Sequence, residues 1–581
     1  MLRSLCLIAT LVPSPGAPPV PHAPSVPHPA SRAQKTSPKK AIADYLEGCE
    51  ALGLSGSVHV QVGKKVLFSG GLGLADRKKK RKNADDTLFE IASATKPFTA
   101  CAILALAEDG KLALDDPISE HLPGVPEDRS GITVRHLLSH MSGMPRSAAA
   151  GYGPDLEVAV KAYLAPDPAR PPGREYEYWN GGFALLAGIV AEVSGQTYQD
   201  YCRTRLFERV GLEATGFTGD TDLPKKRLAT GYDEEGNALR LATGHPYRDY
   251  GYQYIGMGGI VTCAGDLVQF MEALEDGEIL TKDSVDAMLA GETEFYGLGW
   301  SLRRTRAGDR QYGHGGDVAG FHTQWARIPA KDLHVVALAN VDGIPMHSIS
   351  GNLTALALGE RPPFPLPPPT AKVSKGELKA AAGTYADEAG NRIVVAVEGS
   401  SLVVTAEEYD PSQLAGDAIP ERLAEHARAA EQILDLIQAG DTDAIALRLS
   451  ERVRVAWASQ LIGSIWPSHV EKYGELKSAT AVRVLDKGNG VFSTMLRLEH
   501  ESATRPLEIG LVQGKLQLFD LSAPLEPLAG RYTKTDEHKF SCFDWGTPVN
   551  KTLTFDGDRR RAKSVAAFAM GIQPTRLQRV D

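Results

Sequence analysis

Residues 93–106 read SATKPFTACAILAL, and the relation of Ser93, Lys96 and the apolar run behind them decides how the chain is read. In a helix, side chains three apart share a face, so Lys96 falls one turn from Ser93. A serine hydroxyl is a weak nucleophile until a base stands beside it. A lysine taken out of water becomes such a base as its pKa falls. A helix starting here also aims backbone N–H groups at a developing negative charge. Pro97 suits a first helical turn, and Phe98 to Leu106 anchors that turn in a core. Alone the pattern is weak, because Ser37-Pro38-Lys39-Lys40 repeats it beside a proline-rich stretch, where it reads as chance.

Two further groups carry chemistry. Tyr178-Trp179-Asn180 follows the turn Pro172-Gly173 and precedes a helix over Gly182 to Val193. A phenol at a helix start can face a cleft, and a nearby ammonium lowers its pKa. Asn180 offers both a donor and an acceptor. His314-Gly315-Gly316-Asp317 places two glycines on an edge strand, where backbone can approach closely. Each group read alone has a plainer explanation: an aromatic loop, or a glycine bulge with a solvent-facing histidine.

In the order SxxK, YxN, HxG, the three resemble the serine β-lactamase and penicillin-binding protein superfamily. The closest likeness is to its class C β-lactamase-like branch of esterases and D-alanyl-D-alanine peptidases. The stretches TLFEIASATKPFTA, ITVRHLLSHMSGMP, YEYWNGGFALLAGIVAEVSG, GGIVTCAGDLVQFM, YGLGW and YGHGGDVAGF carry the resemblance across residues 41–358. It implies that Ser93 forms an acyl-enzyme and that Lys96 and Tyr178 share base and acid work, the acylation base being open. It further implies that Asn180, His314, Gly315 and Gly316 contact substrate. Backbone N–H groups of Ser93 and Asp317 would form the oxyanion hole, and no metal or cofactor is called for. His314 stands where many relatives have lysine, and Gly315 where many have threonine. Histidine is mostly neutral above about pH 6.5. Both changes weaken the case for β-lactam hydrolysis and favour an ester or a peptide-like amide. The rival readings are a β-lactamase or D-alanyl-D-alanine peptidase, and a catalytically silent sensor of cell-wall peptides. The intact Ser93, Lys96 and Tyr178 argue against silence.

A chain of 581 residues suggests more than one domain. The net charge of −9 offers no basic stripe for nucleic acid. Strands near Gly56 to Ala75 and Gln311 to Val341 flank a helical stretch, which predicts an α+β fold. The expected form is one mixed antiparallel sheet with a helical subdomain. Residues 361–369 hold six prolines and mark a boundary. The expected organisation is a signal-like segment and proline-rich tether over 1–38, the hydrolase domain over 39–360, a linker over 361–374 and a β-rich domain over 375–581. LKAAAGTYADEAGNRIVVAVEGSSLVV and VNKTLTFDGDRR resemble the outer strands of a small lipocalin-like domain. An α+β insertion at about 420–522 looks similar to the nuclear-transport-factor-like fold, with Trp457, Trp466, Tyr473 and Gly474 in its connecting region, the aromatics packing its core or, as the alternative, lining a ligand cavity.

Met1 to Val12 reads as a signal-like segment, so export is expected, with a cytoplasmic location as the alternative. No stretch is long and apolar enough to span a membrane as a helix. The six cysteines show neither zinc nor disulfide spacing. His136 and His140 lack a third ligand in sequence and read as structure. Arg77 to Lys82 reads as a solvated loop, and Gly71-Leu72-Gly73 lacks the helix of a dinucleotide site. The expected partner is a small-molecule or peptide-like substrate, and the oligomeric state is open.

Overall fold

The turn at Gly63-Lys64 joins strand β1 (Gly56–Val62) to β2 (Lys65–Leu72), as the alternation of Val58, Val60 and Val62 predicts. Four more strands arrive from the far end of the segment: β3 (Ser301–Arg304), β4 (Arg310–Val318), β5 (Phe321–Ile328) and β6 (Leu333–Ala339). All pair antiparallel in the order β3-β4-β5-β6-β1-β2, with Ser57 opposite Leu338. The sheet is thus built from both ends of the segment, as expected. In this computed structural model, the described residues are 37–581 without 150–152, 234–235, 247–250, 306, 361, 363–365, 368–372, 387–391, 400, 409–420, 450–457, 459–460, 489–490, 503, 513–514, 521–529, 537, 543–550, 559–560 and 569–574. The signal-like segment, Trp457 and most of the proline tract lie outside them.

The helices that position the site are α1 (Pro38–Ala51), α2 (Lys96–Glu108), α3 (Asn180–Ser194), α4 (Ala264–Glu275) and α5 (Met346–Leu358). Every residue of β6 is buried, because helices cover both faces. Val336 and Leu338 join the large core with Leu267 and Phe270 of α4. The alternate side chains face the other way, toward the side where α5 and α1 pack. α2 is buried continuously from Lys96 to Leu106, as befits a helix apolar all round. Phe98 stacks on Phe270 at 3.9 Å between ring centroids. Ser37 caps α1, accepting from the Lys40 N–H at 3.4 Å, so this helix begins at Pro38.

A small sheet of Phe89–Glu90, Ile260–Thr262 and Gly216–Phe217 was not legible in the sequence. Strands of two or three residues are too short to show alternation. It matters for function, because Ile260 brackets the Ser93 turn. Its carbonyl accepts from the Ile91 N–H at 3.0 Å, and its own N–H donates to Thr95 Oγ1 at 3.2 Å.

The chain divides into two compact units, one spanning Ala33–Pro367 and the other including Pro368–Asp581. In the second, eight strands close a barrel, and the first, Gly383–Ala386, pairs with the last, Thr575–Arg579. Tyr385, Tyr532, Leu553 and Val565 fill it. Between its third and fourth strands lies an inserted module: the helix Ala424–Gln438 against a sheet of Leu476–Gly488, Val491–His500, Thr504–Val512 and Lys515–Asp520. Trp466 belongs to the module's apolar core, as expected of a packing residue. No described helix is long and apolar enough to cross a membrane.

Candidate active site

The Ser93 turn is held in an uncommon shape. Ala92 has φ of 46°, a left-handed conformation for a residue with a Cβ. Such a conformation costs roughly 1–2 kcal/mol and recurs where surrounding structure over-determines the backbone. Here the bonds to Ile260 supply that restraint. Ser93 sits in a 3-10 turn, Ala92–Thr95, that runs directly into α2.

Lys96 is fully buried, and its Nζ lies 3.1 Å from Ser93 Oγ, 2.9 Å from Asn180 Oδ1 and 3.2 Å from the Met257 carbonyl oxygen. Loss of water pushes its pKa well below the ordinary lysine range. A neutral amine has two N–H donors and one lone pair. The two acceptor-only oxygens, from Asn180 and Met257, take the two N–H groups. In that neutral form the lone pair would be left for the Ser93 hydroxyl, which would then donate. The Met257 loop is fixed from the same helix, because Thr99 Oγ1 donates to the Gly256 carbonyl at 2.7 Å.

Tyr178 and Asn180 enter from the start of α3, as the sequence predicts. The Tyr178 phenol hydrogen-bonds Ser93, and its ring lies 4.9 Å from Lys96 Nζ. Loss of water raises its pKa to about 12, although the Ser93 hydrogen bond and Arg146 act to lower it. The ring is backed by His140 at 4.3 Å between centroids. His140 Nδ1 accepts from the Trp179 N–H at 3.2 Å, and its ring packs against Tyr178, Tyr296 and Phe183. Among the described residues, the one acidic and histidine trio within ligating reach is Asp116, Glu120 and His121, and His136 and His140 are not in it.

On the opposite wall, β4 pairs with β3 only from Arg310 to Gly313, so His314 to Val318 has a free edge toward Ser93. Gly316 makes the close approach possible. A Cβ there would lie 2.0 Å from the Ile91 carbonyl oxygen and 3.0 Å from Ser93 N. Gly315 faces the flexible end of Gln324 instead. His314 differs from the solvent-facing alternative and from a charged substrate contact. It is buried, and both ring nitrogens are engaged, Nε2 with the Tyr296 hydroxyl at 3.1 Å and Nδ1 with the Gly315 carbonyl at 2.6 Å. The carbonyl only accepts, so Nδ1 carries the proton and Nε2 accepts from Tyr296. Burial, the largest cause, pushes its pKa down to about 3, so it is neutral.

Below the site, Glu90 is fully buried and bonded to Arg240 and Tyr254. Burial raises the Glu90 pKa against the pull of both partners. This group, with His140, Tyr296 and Met257, escaped the sequence reading, because its members are far apart along the chain. Only His140 left a trace, in the His136/His140 spacing.

Comparison with known proteins places this geometry. A model of the family described as Beta-lactamase matches residues 39–358, more than half of the chain. The chain belongs to the beta-lactamase family, as its three motifs imply. It is 31% identical over 301 residues to the putative penicillin-binding protein PbpX of Bacillus subtilis (strain 168), covering 52% of this chain and 73% of that protein. The octameric penicillin-binding protein homologue from Pyrococcus abyssi is 20% identical with a TM-score of 0.51, covering 93% of this chain and 99% of that one, a likeness of fold.

Proposed function

We propose that this protein is a serine hydrolase in which Ser93 attacks an ester or peptide-like amide and carries the acyl group. The observation that carries the reading is the fully buried Lys96 Nζ at 3.1 Å from Ser93 Oγ, with the oxygens of Asn180 and Met257 as its other partners and its pKa pushed well below the ordinary lysine range by loss of water. Lys96 is then the base that takes the serine proton as the acyl bond forms. Tyr178, held as a neutral phenol, passes a proton to the leaving group. The N–H groups of Ser93 and Asp317 receive the oxyanion, and Asn180 orients the acyl side. Gly315 and Gly316 supply the open strand edge along which substrate lies.

The neutral, internally bonded His314 cannot offer a fixed charge to a substrate carboxylate. This favours esters or amides over penicillins and D-alanyl-D-alanine peptides. Export remains part of the proposal, on the signal-like segment. The test is turnover by the intact chain of p-nitrophenyl butyrate, a D-amino acid amide and benzylpenicillin, each beside the Ser93→Ala variant. Ser93-dependent hydrolysis of an ester or amide supports the reading. Turnover of none of the three, or turnover that survives in Ser93→Ala, overturns it.

A further inference from the structure

The strand that would supply the oxyanion-hole N–H of Asp317 ends in a turn held by one side chain. In β5, His322 lies opposite Asp317 of β4. Its Nδ1 is 2.7 Å from Asp317 Oδ1, and its Nε2 is 2.9 Å from Asp342 Oδ1. The same Asp342 oxygen accepts from the Gly320 N–H at 2.7 Å, at the tip of the β4–β5 turn. Asp342 is itself fixed, since its N–H donates to the Tyr232 carbonyl at 3.0 Å. A carboxylate on each ring nitrogen requires both nitrogens to be donors, which is the imidazolium form.

We propose that His322 is a positioning residue for the reaction above, a charged clamp between Asp317 and Asp342 that fixes the free edge of β4 against Ser93. The inference rests on the serine hydrolase reading. The groups facing His322 are Asp317 from β4 and Asp342 from the segment after β6, with Asp233 acting on Asp342 from behind and Tyr178 beyond Asp317. Burial opposes the charge, but the two carboxylates outweigh it and raise the imidazole to about 9. The clamp is therefore closed through neutral pH and opens as pH rises past about 9. An N–H aimed at a developing oxyanion counts only when its geometry is fixed, and losing such a donor entirely costs about 10²–10³ in rate. Loosening one is a smaller loss.

The test is the pH profile of kcat/KM for p-nitrophenyl acetate with the intact chain, for the unaltered protein, His322→Gln and Asp317→Asn, with melting temperatures alongside. The unaltered protein should lose activity above about pH 9. His322→Gln should lack that alkaline limb and be about tenfold slower at neutral pH, through kcat more than KM. Asp317→Asn removes one carboxylate from a largely exposed side chain and should move the limb to lower pH. If His322→Gln does not fold, this second variant decides. Superimposable profiles for the unaltered protein and either folded variant overturn the clamp while leaving the hydrolase reading intact. A histidine with a merely structural role would lower the melting temperature and leave the limb in place, which also overturns it. Absence of Ser93-dependent turnover in the unaltered protein overturns the hydrolase reading, and the clamp falls with it.

Discussion

Lys96 Nζ and Asn180 Oδ1 meet at 2.9 Å across 84 residues of sequence, and this contact gives the buried lysine an uncharged partner. An amide oxygen accepts a hydrogen bond but cannot neutralise a charge, and among the described residues the hydrogen-bond partners of Lys96 Nζ include no carboxylate to compensate a buried ammonium. Burial pushes the Lys96 pKa well below the ordinary lysine range, which favours the neutral amine that the proposed mechanism needs. Lys96→Ala should lower the acylation rate by at least about 10³, on the scale by which general bases contribute about 10²–10⁴. Lys96→Arg should not rescue it, because a guanidinium stays protonated. Stopped-flow acylation with a chromogenic ester measures both.

The pH dependence has a definite sign. The base works deprotonated, so activity rises with pH through the Lys96 pKa. That pKa is lowered by burial, so kcat/KM should reach its plateau well below the ordinary lysine value of about 10.4. An acid limb still climbing at pH 10 would contradict a neutral Lys96.

Neighbouring glycines should respond unequally. At Gly316 a methyl group meets the rigid Ile91 carbonyl at 2.0 Å, so Gly316→Ala must push β4 away from the Ser93 turn. The expected cost is about 1–3 kcal/mol of stability, with loss of turnover. At Gly315 the obstacle is the Gln324 Oε1 at 2.9 Å, the end of a flexible side chain. Gly315→Ala should keep most activity, as denaturation midpoints and ester turnover will show.

Glu90 and Arg240 form the support under the nucleophile turn. Arg240→Ala strands a fully buried carboxylate. Breaking such a pair costs about 3–5 kcal/mol, readable in urea denaturation. Glu90→Gln in the same background should recover part of that loss.

Much of this site was legible because its chemistry is local. Ser93 and Lys96 are related by a single helical turn, and Tyr178 and Asn180 flank one helix start. The Gly315-Gly316 pair announced a backbone approach, and Gly316 makes it. The strands near Gly56 to Ala75 and Gln311 to Val341 were equally plain. What stayed hidden was set by distant partners. The burial of His314 depends on Tyr296, the His140 ring is placed by Tyr178 and Trp179, and the carbonyl of Met257 reaches Lys96 across 161 residues. No spacing rule encodes such contacts. His322 showed nothing in sequence, because its meaning comes from two carboxylates on other segments.

The substrate preference follows from His314. With no fixed charge at position 314 and no threonine hydroxyl at 315, kcat/KM for p-nitrophenyl butyrate should exceed that for benzylpenicillin by tenfold or more, about 1.4 kcal/mol in transition-state binding. A tenfold preference for the penicillin would reverse the assignment of substrate class.

The central claim is that Ser93 is the acylated residue. It is tested most directly by incubating the intact chain with a fluorophosphonate probe and mapping the adduct by peptide mass spectrometry. One adduct per chain, on the peptide containing Ser93 and absent from Ser93→Ala, is the predicted result. An adduct on another serine, or labelling that persists in Ser93→Ala, would contradict it.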